Sequence, residues 1–244
     1  MIGTKDSLSP AHTRHRILDA AGEVFAELGF QKATVRKICK RAGANLAAIN
    51  YHFGEKERLY FEVLKYGHEI SMQKYPLDFG LNRDLPPEER LQNYIRLFLL
   101  RMFDEGKPSW YGKLIAKEMT EPTQAFDRLV REVVRPLNKF LASIVQELVG
   151  NETEEDKIRL YCASIIGQCL YYHYSRPIIT RLFSKNIYTP EGIEQITRHI
   201  AQFSLKGVHS FVENKTESKI TGMEPKKMAT RDKFRLKDGI EQDS

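Results

Sequence analysis

The run TVRKICKRAGANLAAINYHF, residues 34–53, decides the fold of the chain. Thr34 is a residue type that caps helix N-termini. Val35, Ile38 and Cys39 follow it at helical spacing, which predicts a short helix to about Arg41 with those three side chains inward. Ala42-Gly43-Ala44 turns the chain, and Asn45 caps a second short helix to about Tyr51. Two short helices joined by a tight glycine turn form a helix-turn-helix pattern. In the second helix Ile49 and Phe53 lie four apart and face inward, while Leu46, Ala47 and Asn50 face outward. Ala47 and Ala48 keep it slim enough to enter a DNA major groove, where Asn suits bidentate bonding to adenine and Leu or Ala suits a thymine methyl.

Charge supports that reading. The net charge of +6 is modest, but Gln31 to Gly54 holds five cations (Lys32, Arg36, Lys37, Lys40, Arg41) and no Asp or Glu. A stretch of this kind suits a polyanion, whose displaced counterions make binding salt-dependent. Thr34 and Asn45 at helix starts, the Tyr51 hydroxyl, the His52 imidazole and Lys56 are the expected phosphate contacts. The amides at the helix starts of Thr34 and Glu55 add to them.

Outward from this run the periodicity stays helical. Upstream, Ile17, Ala21, Val24, Phe25 and Leu28 predict a helix capped by Thr13 and stopped by Gly29. Downstream, Phe53-Gly54 breaks the chain before a helix from Glu55 to about Gln73, and the segment of residues 75–87 reads as a loop. Five more helices are expected: from Pro87, over Ser109–Met119, over Thr123–Val149 interrupted by Pro136, from Thr153, and from Thr189-Pro190. No alternating strand pattern of useful length occurs, so the fold class is all-α. The expected division is a helix-turn-helix DNA-binding domain over 1–54, a connecting helix over 55–75, a helical effector-binding and dimerisation domain over 76–213, and a disordered tail over 214–244. That tail carries eight Lys or Arg and six Asp or Glu with few large apolar groups.

The chain of 244 residues is 41% hydrophobic, enough for a packed core. It lacks both a membrane-length apolar run and, at its start, the apolar stretch of a secretory signal, so a cytoplasmic protein is expected. Cys39, Cys162 and Cys169 form no CxxC pair and read as buried thiols rather than a zinc module or disulfide framework. His12 and His15 share a helix face, but no nearby Cys or acidic ligand completes a metal site. Tyr51 and His52 have no acid or nucleophile beside them to build a catalytic cluster. The expectation is therefore no catalytic residue, no metal, no cofactor and no enzyme.

The run from Arg16 to Leu59, RILDAAGEVFAELGFQKATVRKICKRAGANLAAINYHFGEKERL, resembles the DNA-binding domain of TetR-family transcriptional regulators. The likeness rests on AA-x-x-x-F-x-x-x-G-F (Ala20 to Phe30), T-V-x-x-I (Thr34 to Ile38), the A-G turn and Y-H-F-x-x-K-E (Tyr51 to Glu57). The resemblance implies phosphate contacts at Thr34, Tyr51, His52 and Lys56, and base-facing positions at Leu46, Ala47 and Asn50. Family members often carry a polar residue and Gly-Thr where this chain has Leu46, Ala47 and Ala48, and a Tyr at Asn50, so the bases read are left open.

The C-terminal part is similar to CecR/CerR-type regulators in I-A-K-E-M-T-E-P (Ile115 to Pro122), the segment around Pro136 and the Ile/Tyr-rich stretch over 158–174. The family implies an effector cavity walled by the middle helices, for which Phe98, Met102, Trp110, Tyr111, Glu118, Met119, Phe126, Tyr171 and Tyr172 are candidates. The bland alternatives are core for the aromatics and, for Glu118, a surface pairing with Lys117 or a nearby Arg. The family also pairs its last two long helices across a homodimer. Ile165, Cys169, Ile196, Ile200 and Phe203 are the expected interface, with Gly167 and Gly207 permitting close approach. The reading is a dimeric repressor of a pseudo-palindromic double-stranded DNA operator, released by a small hydrophobic effector and with no membrane partner. The rivals are a sequence-independent DNA binder and a helical ligand-binding protein or enzyme with a vestigial head.

Overall fold

The computed structural model describes residues 10–76, 84–104, 108–183 and 186–221, with side chains to residue 210. The order is α1 (Pro10–Lys32), α2 (Val35–Ala42), α3 (Leu46–Phe53), α4 (Lys56–Lys74), α5 (Pro87–Phe103), α6 (Ser109–Thr120) and α7 (Gln124–Leu129). A π-helical turn (Val130–Val134) leads into α8 (Arg135–Val149), followed by α9 (Glu155–Tyr174), α10 (Arg176–Leu182) and α11 (Pro190–Thr221). There is no strand among the described residues, so the chain is all-α.

Local chemistry sets the boundaries of the first four helices. Thr34 Oγ1 accepts from the Lys37 amide at 3.3 Å and Asn45 Oδ1 from the Ala48 amide at 2.8 Å, so both expected N-caps are made. Gly43, at φ 58° and ψ 36°, closes α2 in the left-handed conformation that glycine adopts without a Cβ clash. Gly29, at φ 75°, bends α1 where a stop was expected, but one further turn follows it. Thr13 lies inside α1, which begins at Pro10: proline suits a first helical turn, where an amide has no partner to lose.

Two apolar cores organise the chain. One joins Ile17, Leu18, Val24 and Phe25 of α1, Ile38 of α2, Ile49 and Phe53 of α3, and Leu59, Tyr60, Val63 and Leu64 of α4 to Trp110 and Leu114 of α6 and Leu129 of α7. The other is built from α5, α8, α9 and α11 around Leu91, Ile95, Leu141, Ile144, Ile165 and Ile200. The expected boundary at residue 54 therefore falls inside a continuous core, because α4, α6 and α7 supply its floor. The boundary between cores instead crosses α7–α8, a helical run with a π turn just before Pro136. Pro136 has no amide to donate, and the Arg135 amide reaches back to the Val130 carbonyl.

Two further differences from expectation are local. The seven-residue α10 follows α9 after a single residue, Ser175; its RPIITRL sequence is too short for periodicity to identify. The final helix runs to Thr221, past the expected tail start at 214, and the rest of that tail lies outside the described residues, as does most of the 75–87 loop.

Candidate nucleic-acid interface

Ile49 and Phe53, each 1% exposed, press one side of α3 into the first core. Each fully buried side chain of this size contributes about 1.5–3 kcal/mol. The other side is left to solvent: Leu46 is 53% exposed, Tyr51 83%, and Ala47 and Asn50 are exposed. His52 is half-buried, its ring 5.1 Å from that of Tyr51. All three expected base-reading side chains thus share one open face, with Tyr51 following them.

The basic run is distributed over α2 and its approaches. Lys32, Arg36, Lys37 and Lys40 are exposed. Arg41 turns back to α1, donating to Glu27 at 2.7 Å and lying 3.7 Å from Glu23. This hydrogen bond holds the Glu27 carboxyl below its ordinary range and raises the Arg41 guanidinium. Arg41 therefore fastens α2 to α1.

Lys56 also has partners within the subunit. Its ammonium donates to the carbonyls of Phe30 at 3.2 Å and Ala33 at 3.4 Å, and sits 4.4 Å from the centroid of the Phe30 ring. Two of its three donors satisfy carbonyls at the α1–α2 connection, which braces the start of α4 against the head. Thr34 and Asn45 likewise use their side chains as caps, while Lys32, Arg36, Lys37 and Lys40 stay exposed.

The residues expected to wall an effector cavity do not converge. Trp110, Tyr111 and Phe126 pack against the first core, whereas Phe98 and Tyr172 pack against the second. A Cβ placed on Gly22 would lie 2.4 Å from Trp110 Cδ2, and one on Gly67 would lie 2.4 Å from Tyr111 Cδ2, so these rings use two glycines to dock α6 on α1 and α4. Met119 and Tyr171 are exposed, and Met102 is half-buried. Glu118 is 2% exposed and fully engaged: Oε1 accepts from the Tyr60 hydroxyl at 2.6 Å, and Oε2 from the Thr123 amide at 2.8 Å. Glu118 is thus held by neutral donors, not by the surface pairing with Lys117 or an Arg expected from sequence.

Four of the five expected dimer residues also have another role. Ile165, Cys169, Ile196 and Ile200 are buried in the second core of a single subunit. Phe203, 64% exposed, remains open. Sequence reasoning passed over Leu160 and Tyr174, which continue an exposed stripe on α9 with Tyr171. Their i, i+11, i+14 spacing, close to whole helical turns, was available as a signal, but periodicity does not distinguish a helix's own-core face from a partner face. Among the described residues there is no cluster of three or more metal-ligating side chains, and His15 stacks on Tyr66 at 5.5 Å.

A slim, outward-facing helix on a buried anchor, led in by an exposed basic helix and a glycine turn, defines a helix-turn-helix transcriptional regulator. Residues 17–63 match the family described as "Bacterial regulatory proteins, tetR family". Residues 87–208 match "HTH-type transcriptional dual regulator CecR, C-terminal domain". The chain belongs to the TetR family and carries a CecR-type C-terminal domain. It is 25% identical over 195 residues to the dual regulator CecR of Shigella flexneri, covering 77% of this chain and 87% of that one. A transcriptional regulator structure from Pseudomonas aeruginosa PAO1 shares the fold at TM-score 0.65 and 19% identity, covering 85% of this chain and 97% of that one. FadR of Bacillus subtilis, solved with stearoyl-CoA, does so at TM-score 0.57 and 18% identity, covering 79% and 98%. Among the described residues, no helix is long and apolar enough to cross a membrane.

Proposed function

We propose that the protein is a homodimeric, effector-released repressor that reads a pseudo-palindromic operator through Leu46, Ala47 and Asn50. The observation that carries this reading is the division of α3 into a buried anchor and an exposed, acid-free reading face. Asn50 bonds an adenine edge, Leu46 and Ala47 pack on thymine methyls, and Tyr51, His52 and the α2 cations hold the flanking phosphates.

The second subunit docks on the exposed stripe of α9 (Leu160, Tyr171, Tyr174) and on Phe203 of α11. Gly167 and Gly207 support close helix approach, because a Cβ at either would meet nothing within 4 Å. An isologous dimer of this kind sets two reading heads for half-sites about 34–36 Å apart, or a multiple of that. An effector in the C-terminal domain then favours a state with the wrong head spacing; a preference of about 3 kcal/mol changes operator affinity roughly 150-fold.

Footprinting on the DNA upstream of the protein's own coding region tests the reading. A protected, two-fold symmetric site that opens with rising salt is expected, whereas uniform protection would indicate sequence-independent binding. Since the Shigella relative is named a dual regulator, the same fragment placed before a reporter also distinguishes repression from activation.

A further inference from the structure

We infer that Arg101 is the anchor of an anionic effector, a carboxylate on an apolar body held where the ends of α4 and α5 meet. The inference rests on the effector-responsive reading above and names the ligand's chemical class.

Residues 94–103 of α5 read YIRLFLLRMF, and helical periodicity puts Tyr94, Phe98 and Arg101 on one stripe at i, i+4 and i+7. Tyr94 is buried and stacks on Phe98 at 6.4 Å and on Phe140 at 6.3 Å. The guanidinium therefore follows two aromatic side chains along an inward-facing stripe. Its Nε donates to the Tyr75 carbonyl at 3.1 Å, while its Nη2 is buried and has no hydrogen-bond partner. Burial pulls its pKa below the ordinary value for arginine, yet a guanidinium stays protonated in a protein, so a cation is held here short of one acceptor.

The groups facing it do not supply the missing charge. His68 of α4 is neutral at ordinary pH, its pKa pushed down to about 4 by burial and then by the Arg101 charge. Tyr94 is pushed up to about 12 by burial, so its phenol is neutral too. Asp104, three residues on along α5, is engaged by Lys74 at 2.5 Å. A buried, under-satisfied charge costs stability unless something completes it, and a carboxylate accepting from Nη2 does so with a charge-assisted hydrogen bond.

The location gives such a ligand leverage on DNA. Tyr75 caps the end of α4, whose Leu59, Tyr60, Val63 and Leu64 belong to the core that anchors α3, and Tyr75 itself packs with Tyr94 of α5 in the other core. The Arg101–Tyr75 bond and the Lys74–Asp104 pair lie where the end of α4 meets the end of α5. An anion drawing the guanidinium toward itself competes with the Tyr75 carbonyl, and so biases α4 against α5.

The test uses the full-length dimer and two matched probe pairs, decanoate with decanol and cinnamate with cinnamyl alcohol, read by thermal unfolding and by release from the footprinted operator. At least one acid should raise the unfolding midpoint and release operator where its alcohol does neither. Arg101→Met should weaken that acid at least tenfold with an unliganded midpoint unchanged or higher, and Arg101→Lys should retain part of the response. The inference is overturned if neither acid acts, if an alcohol matches its acid, or if Arg101→Met responds like the wild type. It is also overturned if that variant alone lowers the unliganded midpoint, since Arg101 is then a structural tie. Failure with the footprint intact removes the anionic effector and leaves the regulator standing, whereas loss of the footprint removes the underlying reading itself.

Discussion

The Tyr60 hydroxyl donates to Glu118 at 2.6 Å across the join between α4 and α6, and both residues are nearly inaccessible to solvent. Burial, and then this bond, raises the Tyr60 pKa above the ordinary phenol value. Tyr60→Phe leaves a buried carboxylate one donor short and should lower stability by about 1–3 kcal/mol. Urea unfolding measures it; a midpoint equal to wild type would show that Glu118 finds a replacement donor.

Gly67 admits the Tyr111 ring into the space a Cβ would fill. Gly67→Ala overpacks that contact and should cost about 1–3 kcal/mol despite alanine's better helix propensity. If the variant proves more stable by calorimetry, α6 can move aside and its docking on α4 is loose.

His68 makes stability depend on pH. Its folded pKa of about 4 lies below the ordinary 6.5, so between those values the unfolded chain binds a proton that the folded chain refuses. Its contribution is complete above 6.5 and lost as pH falls toward 4, about 3 kcal/mol for the full shift. His68→Gln should flatten that part of the stability profile, measured by chemical unfolding from pH 7 to 4. An unchanged slope would assign it to other groups, such as His173, whose pKa burial also lowers.

Asn50→Ala should cost about 1–3 kcal/mol on the operator and relax selection at one base pair, while Tyr51→Phe should weaken specific and random DNA alike. Competition titrations at fixed salt separate the two, and equal effects from both variants would void the division of roles. Lys56→Met should lower thermal stability as well as affinity, because it releases the Phe30 and Ala33 carbonyls.

Leu160→Glu with Phe203→Glu should yield folded monomer in sedimentation, since both side chains are open in the single subunit. Ile165→Glu should instead unfold the protein, because it buries a charge in the subunit's own core. A folded monomer from Ile165→Glu would restore the interface expected from sequence.

Where local rules govern, the sequence was legible. Thr34, Gly43 and Asn45 act through neighbours two to five residues away, and Ile49 and Phe53 declare their face by spacing alone. Facing partners were not legible. Ile165 and Ile200 look the same whether they meet their own subunit or another, and Trp110 reads as a cavity wall until Gly22 and Gly67 are brought beneath it.

The π turn over Val130–Val134 acts as an indexing device. An α-helix advances about 100° per residue, so one surplus residue in a turn sets α8 at a different phase from the one α7 alone would dictate. One helical run can thereby point Leu129 into the first core and Leu141 into the second. Deleting a single residue from the turn would leave every later side chain of α8 chemically intact and aimed at the wrong neighbour.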